Sequence, residues 1–219
     1  MSEKVKAIPT EYGGITFRSR TEARWAVFFD ALGIEWQYEP EGFEFDDGTK
    51  YLPDFYLPES KTFFECKGVM TDIDRHKIEK AMECLDVRFA VGYPDLTFIS
   101  CETWEFDEQT GKCLNVGSEE SQKYSSWIAR CRECHKWYFL DSCGWWKCRC
   151  CGHYDGNAGI SFGSRGDDPL GNESSGDCDN DLSAKAFKKA INTKFDHGQA
   201  PDRSDILWEQ KNPTKELRA

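Results

Sequence analysis

The first half of the chain contains a run of apolar residues that recur with the period of an α-helix. Their spacing is i, i+3, i+4 and i+7, and they are Trp25, Phe28, Phe29 and Leu32. We therefore predict a helix over residues 17–33 with one buried face. Ser19 and Glu22 have the spacing of a capping box at its start, and Gly33 is a typical helix stop.

Short β-rich runs and a second amphipathic helix follow. The pattern predicts strands over 51–57 and 62–67, joined by a polar connection of hairpin length. It then predicts a helix over 71–85 and strands over 87–92 and 96–100. The apolar stripe of this second helix consists of Ile73, Ile78, Ala81, Met82 and Leu85. Together these elements predict an α/β core, a mixed central sheet with helices on both faces.

Candidate chemistry lies on the predicted hairpin. Asp54 is on the first strand, and Glu65 and Lys67 are two residues apart on the second, so they share one face. Two carboxylates and the backbone carbonyl of Cys66 suit a hard cation, Mg²⁺ or Mn²⁺, that keeps several waters. The lysine is placed to orient an attacking water or to offset charge on a phosphate.

Two acids also have a simpler interpretation. Glu65 could form an exposed ion pair on a surface hairpin, but it is embedded among apolar residues, where a charge needs a partner or a metal. Glu22 could serve as a cap residue. It could also be a third acid at the metal site, since a first-turn glutamate lies close to whatever the helix start faces.

Four sequence strings together resemble the PD-(D/E)xK nuclease superfamily, and within it the phage endonuclease I type of junction-resolving enzyme. They are R-S-x-x-E, G-I-x-W-x-Y-E, P-D-F-x-L-P and E-x-K-G, at residues 18–22, 33–39, 53–58 and 65–68. The resemblance covers less than half of the chain. It implies a restriction-endonuclease-like core and a catalytic metal held by Asp54, Glu65 and the Cys66 carbonyl. It also implies that Glu22 assists and that Lys67 is catalytic.

A second strong pattern is a pair of C-x-x-C motifs separated by thirteen residues, which the endonuclease I type lacks. The predicted ligands of one structural Zn²⁺ are Cys131, Cys134, Cys148 and Cys151. A tetrahedral zinc takes one knuckle from each motif, which predicts a small zinc ribbon. Choosing Cys150 instead would break the usual spacing, and His135 and His153 are the remaining substitutes.

Composition bears on location and partners. The 219-residue chain carries a net charge of −11, which argues against non-specific coating of nucleic acid. Its first residues contain no apolar run, and no stretch approaches the length of a membrane span. We therefore expect a cytoplasmic protein, in the host cytoplasm if phage-encoded, with reduced cysteines rather than disulfides.

The cysteine-rich segment differs in charge from the rest of the chain. Residues 122–153 hold six basic residues against two acidic ones, interleaved with aromatic residues. This combination suits phosphate contacts and base stacking. The predicted DNA contacts are Arg132, Lys136, Lys147 and Arg149. The aromatic residues have a second interpretation, because a small ribbon has little core and needs them to cover its metal site.

These patterns divide the chain into four parts. We predict a nuclease domain over 1–117, a zinc-ribbon module over 118–154, a flexible acidic linker over 155–181, and a short helix with a flexible polar tail over 182–219.

The predicted function is that of a Mg²⁺-dependent endodeoxyribonuclease, phage-encoded, that cuts branched or otherwise structured DNA. One alternative is a nicking, restriction-like or repair nuclease. Another is a non-enzymatic zinc DNA-binding or phage assembly protein on the nuclease fold, against which the intact set of Asp54, Glu65 and Lys67 argues. DNA is the expected partner and a membrane is not. A homodimer or a larger phage or host assembly is compatible with the sequence.

Overall fold

The computed structural model describes residues 7–85, 87–100, 104–107, 112–115, 126–141, 147–154, 158–171, 180–195 and 202–211. The helices in this part are α1 (Arg20–Leu32), α2 (Asp72–Cys84), α3 (Asn180–Asn192) and α4 (Arg203–Lys211). The strands are β1 (Thr10–Tyr12), β2 (Ile15–Phe17), β3 (Gln37–Tyr38), β4 (Phe43–Glu44), β5 (Lys50–Tyr51), β6 (Phe55–Leu57), β7 (Thr62–Cys66), β8 (Arg88–Gly92), β9 (Phe98–Ser100), β10 (Trp104–Asp107), β11 (Lys112–Asn115), β12 (Ser126–Cys131), β13 (Trp137–Asp141) and β14 (Ile160–Arg165).

The central sheet is mixed, with the strand order β3-β6-β7-β8-β9. β6 and β7 form an antiparallel hairpin in which Phe55 pairs with Phe64. β7 and β8 run parallel, and β8 and β9 are antiparallel. Parallel neighbours need a crossover connection, and α2 supplies it here. The predicted α/β class with a mixed central sheet is confirmed.

Each face of this sheet packs against a different helix. Phe64 belongs to the buried cluster that contains the apolar face of α1, whereas its neighbour Phe63 belongs to the cluster that contains Ile78 of α2. This alternation follows from the two-residue period of a strand. Ile73, assigned to the stripe of α2, is instead 70% exposed. At 100° per residue it lies about 140° around the helix from Ile78, too far to share its face.

A second antiparallel sheet, with the order β13-β12-β14, packs on the same core rather than forming a separate module. The ring of Phe139 on β13 lies 5.1 Å from that of Phe64 and 5.2 Å from that of Phe98. The backbone N–H of Ser100 donates to Ser126 Oγ at 2.7 Å, which ties β9 to β12. The segment predicted as an independent ribbon therefore shares its hydrophobic core with α1.

The linker prediction is wrong for residues 160–165, which form β14 and pair with β12. Composition did not indicate this strand because glycine and serine occupy three of its four buried positions. Gly163 is one of them: a Cβ there would lie 2.9 Å from the carbonyl oxygen of Ile128. A close approach of two strands thus requires glycine at a position that the composition assigned to a spacer.

The polar-tail prediction is likewise wrong for the described part of α4. Ile206 is buried in the main core, and Arg203 forms an ion pair with the buried Asp30 of α1 at 2.8 Å. Tyr12 and Trp36 also donate to Asp30, so this carboxylate is fully engaged. Among the described residues, no helix combines the length and the apolar character that crossing a membrane requires.

Candidate active site

A cleft of about 710 Å³ opens between the start of α1, the β4–β5 hairpin and α2. It is lined by all the residues predicted for the catalytic site, which are Glu22, Asp54, Glu65, Cys66 and Lys67. The three acids are almost buried, with exposures of 6%, 5% and 1% in that order. The alternative in which Glu65 forms an exposed ion pair on a surface hairpin is therefore wrong.

Asp54 lies in the break between two strands rather than within one. The predicted strand over 51–57 divides into β5 and β6 because Pro53 has no N–H to donate to a ladder. Asp54 Oδ2 accepts the backbone N–H of Cys66 at 2.8 Å, and Oδ1 accepts from the Arg18 guanidinium at 2.7 Å. Burial and the nearby charge of Glu65 raise the pKa of Asp54 to about 7.

Glu65 and Lys67 form a pair at the end of β7, as their spacing predicts. Lys67 Nζ lies 2.8 Å from Glu65 Oε2 and 3.5 Å from Asp74 Oδ1, while the hydroxyl of Tyr51 donates to Glu65 Oε1. Burial acts to lower the pKa of Lys67, but the carboxylates of Glu65 and Asp54 outweigh it and raise that pKa above its ordinary value. The side chain is therefore held as an ammonium ion.

Glu22 helps to cap α1 and also lines the cleft, while its role at a metal site stays a prediction. Its backbone N–H donates to Ser19 Oγ at 3.2 Å, which caps α1, and the Ser19 hydroxyl donates back to Oε1 at 2.6 Å. Its other carboxylate oxygen faces the cleft and accepts from the Tyr38 hydroxyl at 2.6 Å. Burial and this hydrogen bond raise the pKa of Tyr38, so the hydroxyl keeps its proton and remains a donor.

Four residues that contact the predicted acids or Lys67 were not identified from the sequence. They are Arg18, Tyr38, Tyr51 and Asp74. Arg18 and Tyr38 lie inside the family-like strings at 18–22 and 33–39, so the resemblance offered a usable signal for them. Tyr51 and Asp74 contact the site only because β5 and α2 fold against it, and no local pattern indicates that contact.

The ligand atoms that this cleft offers are oxygens, which a hard divalent cation prefers. Three carboxylates and the Cys66 carbonyl are oxygen donors, and burial raises the pKa of the Cys66 thiol, which leaves its sulfur neutral. Their oxygens are not gathered as tightly as a bound ion requires: in the described part of the chain, the cysteine cluster is the sole group of three or more candidate ligands with all ligand atoms within 4.8 Å. The acids are instead held by protein donors, chiefly Arg18, Lys67 and Tyr38.

That cysteine cluster consists of the four residues predicted from the C-x-x-C motifs, Cys131, Cys134, Cys148 and Cys151. The sulfurs of Cys131 and Cys151 are 3.8 Å apart, and those of Cys134 and Cys148 are 3.7 Å apart. A disulfide would bring two sulfurs to about 2.05 Å. A tetrahedral ion with metal–sulfur bonds of about 2.3 Å separates its sulfurs by about 3.8 Å, which the cluster matches.

The two motifs fold into matching knuckles. His135 N–H donates to the Cys131 carbonyl at 2.9 Å, and Gly152 N–H donates to the Cys148 carbonyl at 3.1 Å. His135 and Gly152 have φ of 58° and 74°, so each motif is followed by one residue in the left-handed conformation. Cys150 lies outside the cluster, with its sulfur directed to the Trp137 carbonyl. The sequence rule that excluded Cys150 by spacing therefore selected the right four sulfurs.

The basic residues predicted to contact DNA are mostly engaged within the protein. Arg132 donates to Ser161 Oγ at 3.0 Å and to the Ala158 carbonyl at 3.1 Å. Lys136 pairs with Glu59 on the β6–β7 turn, and Arg149 donates to the Lys147 carbonyl. Lys147 is exposed. DNA contact by these residues stays a prediction.

The aromatic residues of this segment are part of the core where they are described. Trp137, Tyr138 and Phe139 are buried, so the base-stacking interpretation is wrong for them and the core interpretation is right. Trp127 is half-buried and packs edge-on against Phe162. The tandem tryptophans at 145 and 146 lie outside the described residues.

Comparison of the chain with protein-family models, with curated proteins and with solved structures found no match in any of the three.

Proposed function

We propose that this chain is a divalent-metal-dependent endonuclease that hydrolyses phosphodiester bonds in branched or otherwise structured DNA. The observation that carries the proposal is the convergence in one cleft of three buried acids and a half-buried lysine from separate elements. Glu22 comes from α1, Asp54 from the β5–β6 break, Glu65 from β7, and Lys67 from the residue directly after β7. Burying several charges together is costly, and functional sites are where such clusters concentrate.

The arrangement of elements supports a restriction-endonuclease-like core. The chain runs from α1, which carries Glu22 in its first turn, to the antiparallel hairpin β6–β7. The crossover helix α2 then leads to β8, which is parallel to β7. Asp54 directly precedes the hairpin, Glu65 lies on its second strand and Lys67 directly follows it, which is compatible with the order that the resemblance to PD-(D/E)xK nucleases implies.

The metal we propose is Mg²⁺ or Mn²⁺, held by Asp54, Glu65 and the Cys66 carbonyl with help from Glu22. When bound, it supplies a lowered pKa for water and a positive charge for the phosphate oxygens. Two donors already orient its ligands: Tyr51 holds one oxygen of Glu65, and Cys66 N–H holds one oxygen of Asp54. Fixed ligands need little reorganisation when the ion enters.

Lys67 acts as a hydrogen-bond donor and a positive charge, and not as a general base. Glu65 and Asp54 keep it as an ammonium ion, so it has no lone pair with which to accept a proton from water. Its N–H groups can hydrogen-bond the attacking water or a phosphate oxygen, and stabilise the negative charge that builds up there. The proton from water must therefore leave through another group or through solvent.

For the cysteine cluster we propose one structural Zn²⁺. Four thiolates at tetrahedral spacing close the coordination sphere and leave no position for a substrate, which is typical of structural rather than catalytic zinc. Because β12 and β13 carry the first knuckle and also pack on the main core, this ion would brace the core itself.

A cleavage panel tests the proposed function. The substrates are a four-way junction, a flap, plain duplex, single strand and RNA, each with Mg²⁺ and with a chelator. Mg²⁺-dependent cutting of junction or flap DNA supports the proposal. Cutting of plain duplex alone favours a restriction-like or nicking task. Binding of DNA without cutting of any substrate favours the non-enzymatic alternative.

A further inference from the structure

The guanidinium of Arg18 lies at the mouth of the cleft and bridges two carboxylates. Its Nη2 is 2.7 Å from Asp54 Oδ1, and its Nε is 2.7 Å from Glu39 Oε1. The Arg18 side chain is 56% exposed, whereas that of Asp54 is 7% exposed. A cation that is more than half exposed to solvent thus covers the outer oxygen of a buried acid.

The backbone beside this side chain is held by hydrogen bonds that do not involve the guanidinium. Arg18 N–H donates to Glu22 Oε2 and to the Tyr38 hydroxyl, both at 3.1 Å. Arg18 also directly precedes Ser19, which caps α1. The long side chain can therefore rotate away from Asp54 without disturbing the helix start or the position of Glu22.

The Arg18–Asp54 contact occupies an atom that a metal needs. Cys66 N–H already holds Asp54 Oδ2, so Oδ1 is the oxygen turned to the cleft. A divalent cation bound to Asp54 Oδ1 would repel the guanidinium at contact distance. Simultaneous binding of both cations to this oxygen would therefore be electrostatically unfavourable. Conversely, the buried carboxylate needs a positive partner while no metal is bound.

We propose that Arg18 is the resident counter-ion of the metal-free site, that a divalent cation displaces it from Asp54, and that the freed guanidinium then binds a phosphate of the nucleic acid in the cleft. A planar guanidinium matches phosphate through two parallel hydrogen bonds, which suits this second role. Binding of the metal and binding of the nucleic acid are then coupled through the Arg18 side chain. This inference rests on the proposed nuclease function.

The test is a pair of binding measurements on Arg18→Gln, made without catalysis. Mn²⁺ titrated into the DNA-free protein, followed by calorimetry or by Mn²⁺ electron paramagnetic resonance, should bind about threefold more tightly than to wild type, since a partly exposed competing ion pair is lost. Affinity for junction DNA in Ca²⁺ should fall, and its salt slope should decrease by about one. A merely structural role would weaken both kinds of binding.

Lys50→Gln is the matched control. It removes one positive charge from the same cleft, but its ion pair is with Glu44 rather than with a site acid. Mn²⁺ affinity should rise more in Arg18→Gln than in Lys50→Gln. An equal or smaller rise, or a fall, overturns the inference for Arg18. If wild-type protein binds no Mn²⁺ and cuts no DNA, the nuclease proposal fails as well; if it does both, only the Arg18 inference is at stake.

Discussion

Lys67, the first residue after β7, places its Nζ 2.8 Å from Oε2 of Glu65 on that strand, and both side chains are largely hidden from solvent. The pair is neutral, but the residues that line the cleft include five acids against four basic residues, which are Glu22, Glu44, Asp54, Glu65 and Asp74 against Arg18, Lys50, Lys67 and Lys77. This excess of negative charge is what a divalent cation would balance.

Removing the charged side chain of Asp54 or of Lys67 should strongly reduce the cleavage rate and leave DNA binding largely intact. We expect Asp54→Ala and Lys67→Ala each to reduce the cleavage rate by about 10²-fold or more, because each loses a metal ligand or a donor to the transition state. Gel-shift assays in Ca²⁺ should show similar DNA affinity. Glu35→Ala, at an exposed position outside the cleft, serves as the control and should cut normally.

The stability of the metal-free protein should depend on the ionisation of Asp54. Its pKa is about 7 in the folded chain and near 3.8 when unfolded, so the native state binds more protons between these values. Stability from this group is therefore lost as pH rises from about 4 to 7. Asp54→Asn cannot ionise and should melt a few degrees higher than wild type at pH 8, with a smaller difference at pH 5.

Melting curves at the two pH values, with a chelator present, check this. Asp46→Asn is the control, an exposed aspartate of the β4–β5 turn. A difference in Tm between Asp54→Asn and wild type that is the same at pH 5 and pH 8 would show that Asp54 does not titrate in this range.

Glu65 should depend on Tyr51 for its orientation. Tyr51→Phe removes the hydroxyl that donates to Glu65 Oε1 and leaves the packing of the ring. Hydrogen bonds to charged groups contribute about 1.5–3 kcal/mol, so we expect a rate loss of about tenfold or more. Tyr56→Phe, on the neighbouring strand, is the control. Equal rates for wild type and Tyr51→Phe would mean that Glu65 is positioned by Lys67 alone.

Metal removal should destabilise the whole described core and not only the cysteine knuckles. Phe139 of β13 packs against Phe64 and Trp25, so loss of the cluster disturbs rings shared with α1. We expect one zinc per chain by metal analysis, and a single melting transition that shifts down after chelation or in Cys131→Ser. Cys84→Ser, at an exposed thiol on α2, should melt like wild type.

Two results would oppose this account of the cysteine cluster. Mass spectrometry could find disulfides among the four cysteines, or metal analysis could find no zinc. Two separate melting transitions would instead support an independent ribbon module, as the sequence alone predicted.

The basic residues near the cysteine cluster should divide into two kinds. Lys147 is exposed and Arg149 donates to its carbonyl, so neutralising both should lower the salt slope of DNA binding by up to about two units if they touch phosphate. Arg132 and Lys136 hold other parts of the protein, and their neutralisation should chiefly lower Tm. An unchanged slope in the first variant would remove this surface from the DNA interface.

Local signals predicted a large part of the fold. Ser19 and Gly33 mark the ends of α1, and Thr71 caps α2 close to the predicted start, because caps are encoded within a few residues of the helix end. The β-rich runs and the short polar connection predicted the hairpin. The spacing of two residues between Glu65 and Lys67 predicted that their side chains lie on the same side of the chain. The four cysteine ligands follow from motif spacing.

The remaining features depend on contacts between distant parts of the chain. The rings of Phe187 on α3 and Phe28 on α1 are stacked with their centroids 4.1 Å apart. No local sequence pattern around either residue predicts this contact. The sequence did not indicate β14 because three of the four residues that it buries are glycine or serine, with Ile160 as the one large apolar residue among them. The contact of Tyr51 with Glu65 likewise arises only when β5 folds against β7.

The most direct test of the central claim is the single-turnover cleavage rate of junction DNA by wild type and Glu65→Gln, with and without Mg²⁺. Glutamine keeps the size of the side chain and can still accept from Tyr51, but it loses the charge. The account predicts Mg²⁺-dependent cutting by wild type and a loss of at least about 10²-fold in Glu65→Gln. Full activity in Glu65→Gln, or cutting by wild type that persists in a chelator, would contradict it.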